Sequence, residues 1–252
     1  MDFRVVECDF ERIRVLRSEH LKEMHCQVVR DALHRRPGWA QWYVSEVNGA
    51  PVGYIAVAMG GAWSGARTVF EYYLRPELRR SVHEVFIALI ESASVRDIVL
   101  QTNDRLLTAV ASSGIAELRE VSILFSDGGA TRLTAPQLKL GLTNDFPESS
   151  LFKHKVEPVG EYALLDDRTV IATGGILTHY NRPYGDIHME VREDRRRCGY
   201  GSFFVQELKR IAFERGHEPC ARCDVGNIAS LRTLTKAGMQ ECGRILEGKL
   251  SR

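Results

Sequence analysis

The chain has 252 residues, 44% hydrophobic and 27% charged, with a formal net charge of +1. That length can bury one large core or two small ones, and the near-neutral balance gives no bulk attraction for nucleic acid or an anionic membrane. No run approaches the roughly 18 uninterrupted apolar residues of a membrane helix, and six cysteines are too sparse for a disulfide framework, so a reduced, cytoplasmic setting is expected.

The chain opens on Met1-Asp2-Phe3-Arg4, charged too early for the apolar core of a signal peptide. A helical pattern is expected over roughly Glu11 to Arg35. Trp39 to Val47 and Val52 to Met59 read as a hairpin, because the intervening Asn48-Gly49 tolerates the positive φ angles of a tight turn. Thr68 to Leu74 reads as a strand, and Arg79-Arg80-Ser81 leads into a helix carrying Phe86, Leu89 and Ile90. Ile98 to Thr102 is a further strand, after which Asn103 caps a helix that ends at Gly114. Asp127 to Ser150, with its Gly, Thr, Asn and Pro content, reads as a connector.

Beyond it, Glu161 to Leu165, the turn Asp166-Asp167-Arg168 and Val170 to Leu177 form a second hairpin. Turn-forming residues from His179 to Gly185 lead to the strand Asp186 to Val191. Then come Arg195-Arg196-Arg197-Cys198-Gly199-Tyr200-Gly201-Ser202 and an amphipathic helix to Arg215. Phe204, Leu208, Ile211 and Ala212 fall on one face of that helix, and Gly216 stops it. Ala221 to Val225 is a short strand, Asn227 caps a second helix closed by Gly238, and Met239 to Leu250 is extended. The order β-β-β-α-β-α-β therefore occurs twice, and the interval from Asn103 to Gly114 equals that from Asn227 to Gly238. Two copies of one unit explain this. The expected fold class is α/β (α+β), with two tandem mixed-sheet units carrying helices on both faces. Their expected extents are 1–130 and 151–252, joined by a connector at 131–150.

The chemistry gathers at the second copy's strand-to-helix turn. Gly199 and Gly201 let the backbone curl so that several N–H groups point into one concavity at a helix N-terminus, which suits a phosphate or pyrophosphate. Aligning Leu74 with Val191 places Val82 at the position of Gly199 and Glu84 at that of Gly201. Ser81-x-x-Glu84 has capping-box spacing, so side chains would satisfy those N–H groups, and a carboxylate there repels a pyrophosphate. Only the second copy is expected to bind the ligand. Cys220-Ala221-Arg222-Cys223 has CxxC spacing, but in a strand residues i and i+3 point to opposite faces. Without a second CxxC or paired histidines it predicts no metal site.

The strand ending in Val191, Arg196-x-x-Gly199-x-Gly201, Asn227-x-x-Ser230 and Lys236-x-Gly238-Met239 together resemble the GNAT superfamily of acyl-CoA-dependent N-acyltransferases. The resemblance is strong over about Gly160 to Leu250 and weak in the first half. It implies a tandem form in which a degenerate GNAT-like copy without the cofactor loop precedes the GNAT domain that binds acetyl-CoA. Backbone amides of Arg196, Arg197, Cys198, Gly199, Tyr200, Gly201 and Ser202 would hold the CoA pyrophosphate. The strand ending at Val191 would splay from the next one. Acyl-pantetheine would lie in the gap along Met189 to Val191, much as an added strand would. Asn227 and Ser230 would touch the pantetheine arm. The rival readings are plainer: Asn227 as an N-cap, Ser230 as the third residue of its helix, and Arg195 to Arg197 as a solvated charge run.

Direct acyl transfer needs a deprotonated amine, a polarised thioester oxygen and a stabilised leaving thiolate. In the family the base is often a carboxylate on or near the strand before the glycine turn. Asp186, His188 and Glu190 alternate along that strand and share a face unless a bulge intervenes. Glu190 and His188 lead these candidates, against solvent-facing or structural roles, and a strand amide near Met189 would polarise the oxygen. The family's common general acid is a tyrosine seven residues beyond the Asn of the second motif, where this chain has Leu234. Tyr200, Tyr180 and Tyr184 are nearby, with packing or turn roles as their rivals. The leading function is N-acetyl transfer from acetyl-CoA to a primary amine, a small molecule being favoured over a protein, by a monomer or homodimer. The alternative is a CoA-binding regulatory or scaffold protein that has lost chemistry. Donors with longer acyl chains stay open. In the first copy, Trp39, Trp42 and Trp63 either wall the acceptor pocket or belong to the core.

Overall fold

A computed structural model describes residues 3–24, 27, 30–146, 160–178 and 182–251. The first repeat supplies β1 (Arg4–Cys8), α1 (Phe10–Glu23), α2 (Asp31–Arg35), β2 (Ala40–Val47), β3 (Ala50–Ala58) and β4 (Thr68–Leu74). It continues through α3 (Val82–Ser92), β5 (Asp97–Gln101), α4 (Arg105–Val110) and β6 (Ala116–Asp127). Next come β7 (Leu138–Leu142), β8 (Tyr162–Asp166), β9 (Thr169–Leu177) and β10 (Tyr184–Val191). The chain ends in α5 (Tyr200–Glu214), β11 (Glu218–Asp224), α6 (Ile228–Lys236) and β12 (Met239–Leu250).

These elements form two compact units, Met1–Val121 with Gly243–Arg252, and Ser122–Cys242. In the first unit β1, β2, β3 and β4 pair antiparallel in sequence, and β5 adds in parallel to β4. The C-terminal end of β12 closes this sheet on β5, with Ile245 opposite Gln101 and Lys249 opposite Asp97. In the second unit β7, β8, β9 and β10 are antiparallel and β11 is parallel to β10. The end of β6 closes that sheet on β11, from Ser126 opposite Cys220 to Ser122 opposite Asp224. The last strand of each repeat thus ends in the unit built mainly from the other repeat.

Local chemistry accounts for most boundaries. Asn48 and Gly49 take φ angles of 52° and 77°, the tight-turn geometry that joins β2 to β3. β4 is buried along its whole length, so it reads as a continuous apolar run apart from Glu71. The first unit's core gathers Ile55, Val57, Tyr72 and Leu74 from the sheet against Phe86 and Leu89 of α3. In the second unit Phe204, Leu208 and Ile211 of α5 pack on Leu164, Ile171 and Ile187.

Four sequence readings are corrected. The helix expected from Glu11 to Arg35 is two helices, α1 ending at its C-cap Met24 and α2 starting at Asp31. The cap of α4 is Asp104 rather than Asn103: its Oδ1 accepts from the amides of Leu106 and Leu107, both at 3.1 Å. Strand β7, paired with β8 from Leu138 opposite Asp166 onward, occupies part of the stretch read as a connector. The capping box at Ser81 does not form, since Ser81 makes no side-chain cap hydrogen bond among the described residues. A 3-10 turn over Pro76–Ser81 runs directly into α3, and the Val82 amide bonds back to Arg79. A backbone carbonyl thus takes the amide at the start of that helix.

Candidate active site

The site lies in the second unit, where β10 leaves β11. The two strands pair only at Tyr184 with Glu218, Gly185 with Pro219 and Asp186 with Cys220. Beyond Asp186 they diverge, while β10 stays in unbroken register with β9 as far as Val191 opposite Ala172. The splay expected from the sequence is therefore present, and no bulge interrupts β10.

Backbone alternation shows what faces the opening. The Pro183 carbonyl accepts from the Glu218 amide on the β11 side, whereas the Arg192 amide donates to Ile171 on the β9 side. Peptide groups two residues apart along a strand point the same way. Met189 and Val191 accordingly direct N–H and C=O toward the gap. One of these groups is engaged, since Arg196 Nε donates to the Val191 carbonyl at 3.1 Å.

Side chains divide by face. Ile187, Met189 and Val191 pack with the α5 core. Asp186, His188 and Glu190 fall on the opposite face, as the two-residue period requires. The gap opens into a cavity of about 560 Å³, lined by Asp186, Ile187, His188 and Met189 of β10 and by Arg222, Cys223 and Asp224 of β11. Asn227, Ser230 and Leu234 of α6, Val205 of α5 and Ser122 of β6 complete it. Glu190 is not among these residues; its carboxylate lies 3.8 Å from Arg196. Asp186 is 4% exposed and its Oδ2 lies 3.6 Å from Arg222 Nε.

The gap leads to the glycine turn. Gly199 is the N-cap of α5, with φ 82° and no side-chain cap hydrogen bond among the described residues. A left-handed cap of this kind suits glycine. Gly201 serves close packing instead: a Cβ there would lie 3.2 Å from Thr233 Cγ2 and 3.3 Å from Met189 Cε. Ser202 is buried in the first turn of α5, and Tyr200 packs on the edge of the unit core. Arg197, with φ 64°, and Cys198 are exposed before the turn. Arg195 is paired with Asp166 at 3.3 Å. Among the described residues, the one atom within 4 Å of a Cβ placed on Gly199 would be Lys236 Nζ, at 3.7 Å, which sets an ammonium beside the turn.

Several roles become concrete. Asn227 is an N-cap, its Oδ1 accepting from the Ser230 amide at 3.0 Å, and both residues also line the cavity. Leu234 is buried in the cavity wall, so the family's tyrosine position presents only hydrocarbon. Cys220 and Cys223 are buried and neither is in a disulfide. Cys223 packs with Val205 and Leu234, whereas burial, reinforced by the Asp186 carboxylate, pushes the Cys220 thiol up. Tyr184 starts β10 and is half-buried; Tyr180 lies outside the described residues. Arg222 and Lys236 carry no site role in the sequence reading; the signal for Arg222 is its place within the CxxC, two residues beyond the last β11 position paired with β10.

The first unit contains the same divergence, filled differently. β4 and β5 pair only at Thr68 with Asp97 and Val69 with Ile98. The space beyond, bordered by Phe70, Glu71, Gln101 and Asp104, is about 20 Å³, room for roughly one water. Arg17 grips Glu71 with two bonds, of 3.1 and 3.2 Å, and Tyr54 Oη donates to the same carboxylate at 3.1 Å. His34 Nε2 lies 3.1 Å from Glu71 Oε1, while its Nδ1 accepts from Trp42 Nε1 at 2.9 Å. An indole only donates, so His34 carries its proton on Nε2, facing Glu71. Burial raises the Glu71 carboxyl, but His34 and Arg17 outweigh it and hold the group below the usual carboxylate range. Trp42 therefore belongs to a buried network; Trp39 and Trp63 are half-buried beneath Arg36 and Arg30.

A mixed sheet that splits at one parallel pair and leads into a glycine-started helix defines the GNAT fold class. Residues 132–239 match the model of the Acetyltransferase (GNAT) family. An acetyltransferase from the GNAT family of Colwellia psychrerythraea is similar over 100% of both chains, at TM-score 0.78 and 16% identity. A tandem GNAT protein from the clavulanic acid biosynthesis pathway is similar over 98% of both chains, at TM-score 0.64 and 12% identity. A GCN5-related N-acetyltransferase from Sphaerobacter thermophilus covers 98% of this chain and 95% of its own, at TM-score 0.62 and 10% identity. No curated protein matches the sequence. No helix among the described residues is long and apolar enough to cross a membrane.

Proposed function

We propose that the Ser122–Cys242 unit transfers an acetyl group from acetyl-CoA directly to a primary amine of a small molecule. The observation that carries this reading is the gap beyond Asp186, which runs past the Met189 and Val191 peptide groups to a helix start with no side-chain cap. A pantetheine arm fits such a gap as an added strand, and a pyrophosphate fits the uncapped amides from Cys198 to Ser202 with Lys236 beside them. Residues 132–239 matching an acetyltransferase family support the donor.

His188 is the base in this reading. It lines the cavity one alternation from the point where the strands separate, whereas Asp186 is engaged by Arg222 and Glu190 lies outside the cavity beside Arg196. His188 takes a proton from the incoming ammonium. The amine nitrogen then bonds to the thioester carbonyl carbon, whose oxygen is polarised by the Met189 amide. The carbon–sulfur bond breaks and CoA leaves as thiolate. One of the two protons on the nitrogen passes to it through water, the other stays on the amide, and His188 returns its proton to solvent. Leu234 supplies no acid, so the protonation of the thiolate is not assigned to a side chain.

Incubation with acetyl-CoA and a panel of small amines, followed by release of free thiol, tests the reading. Turnover that falls at least about a hundredfold in His188→Ala, with CoA affinity retained, is expected. Tight CoA binding without thiol release on any amine or peptide would favour the second reading, a CoA-binding regulatory protein, to which the apolar Leu234 points.

A further inference from the structure

Gly175 lies directly opposite His188 in the β9–β10 ladder, on the face that the imidazole shares with Asp186 and Glu190. An ideal Cβ on Gly175 would fall 3.2 Å from His188 Cε1, 3.1 Å from the Glu161 amide nitrogen and 3.2 Å from Gly160 Cα. The imidazole edge and the chain entering β8 thus converge on the space of one missing methyl. The chain side of that space is pinned. A Cβ on Gly160 would fall 2.2 Å from the Gly174 carbonyl, so the backbone there already rests on β9. Glu161 is held by two bonds from Arg215, of 2.7 and 2.8 Å, and its carbonyl accepts from the Thr143 amide at 2.9 Å. In the first repeat, with Leu74 aligned to Val191, Glu71 stands where the second has His188, and its ladder partner is Ala56. The glycine accompanies the imidazole rather than the ladder position.

We infer that Gly175 is a positioning residue for His188: its missing side chain forms the seat of the imidazole, and any side chain there displaces the ring. The inference rests on the reading of His188 as the base and goes beyond it by naming what holds that base in place. Carbon atoms in contact settle about 3.5–4.0 Å apart, so a methyl at 3.2 Å drives the ring off by about 0.3–0.8 Å. The ring is the partner that yields, because turning one side chain is softer than moving two pinned backbone segments. Proton transfer needs the base within hydrogen-bond reach of the amine. Misplacement by about 1 Å can cost about a hundredfold in rate, and half of that about tenfold. Gly175 has no polar side chain to offer the reactants and acts through His188.

Proton–carbon NMR of the full chain labelled at histidine Cε1 reads the seat without reference to turnover. The His188 line, assigned as the one lost in His188→Ala, is expected to move in Gly175→Ala more than the line of any other of the eight histidines. With acetyl-CoA and an amine that the chain acetylates, kcat of Gly175→Ala is expected to fall about tenfold, while CoA affinity by calorimetry changes less than about twofold. In the His188→Ala background the same substitution is expected to change kcat less than about twofold. If Gly175→Ala loses CoA binding, urea unfolding decides instead. Its destabilisation is expected to shrink in His188→Ala, where no ring opposes the methyl. An unmoved His188 line, an unchanged kcat, an equal loss of kcat in both backgrounds or, in the urea case, equal destabilisation in both would overturn the inference while leaving the base reading intact. Full turnover by His188→Ala, or none by the unaltered chain, would overturn the base reading and the positioning role with it, even where the NMR line moves.

Discussion

Gly201→Val tests how the glycine turn is built. The ideal Cβ at Gly201 already falls 3.2 Å from Thr233 Cγ2, 3.3 Å from Met189 Cε and 3.4 Å from Val191 Cγ2. It would be wedged between α6 on one side and β10 on the other. A methyl alone asks those neighbours to yield by a few tenths of an ångström, and the gain in helix propensity over glycine, about 1 kcal/mol, offsets part of that cost. The two further carbons of valine have nowhere to go without moving the first turn of α5. Overpacking of this kind costs about 1–3 kcal/mol. If about 1–2 kcal/mol of it appears as displaced amides, CoA affinity falls about five- to thirtyfold. Isothermal titration on Gly201→Ala and Gly201→Val, with urea unfolding alongside, measures both effects. CoA affinity and stability in Gly201→Val equal to those of the unaltered chain would refute the packing argument.

Three further substitutions follow from named contacts. Glu71→Gln breaks the buried network with Arg17 and His34 and is expected to cost about 3–5 kcal/mol in urea unfolding of the first unit. Because the Glu71 carboxyl is held low in the folded chain, its contribution is complete above its unfolded value of about 4.3 and is lost as pH falls below it. Stability measured down the acid range should drop less steeply in Glu71→Gln than in the unaltered chain. Lys209, 4% exposed, donates to the Gly129 and Ala237 carbonyls at 2.7 and 3.0 Å and pairs with Asp127 at 2.6 Å. Lys209→Met leaves those groups unmatched and is expected to destabilise the second unit by about 3–5 kcal/mol in urea unfolding. Asn227→Ala removes the α6 cap and is expected to cost about 1 kcal/mol in the same assay, with any larger loss in CoA affinity marking a contact beyond capping.

What the sequence made legible was local. The Asn48-Gly49 turn, the left-handed Gly199 and the Asn227 cap each follow from one or two residues whose conformational preference is strong. The shared face of Asp186, His188 and Glu190 follows from the strand period alone. Partner choice was not legible: nothing in β6 or β12 tells which sheet it closes, because side-chain alternation sets a strand's faces but not its neighbour. β7, Leu-Lys-Leu-Gly-Leu, is short and set among turn-forming residues. At Ser81 a capping motif was present but idle, since the preceding Pro76–Ser81 turn already supplied backbone partners. Glu71 carried a signal that could have been used. It is the lone acid in Thr-Val-Phe-Glu-Tyr-Tyr-Leu, and a carboxylate inside a wholly buried strand must find a cation and hydrogen-bond donors. Here it finds them in the first unit's own strand gap, which is how that copy fills the space that the second leaves open.

Amide hydrogen exchange of the chain with and without CoA tests the binding gap most directly. Saturating CoA is expected to slow exchange at Met189 and across Cys198 to Ser202, the peptide groups that face the gap and start α5. Protection falling instead on β4 and the start of α3, or no protection at Met189 despite tight binding, would contradict a cofactor lying between β10 and β11.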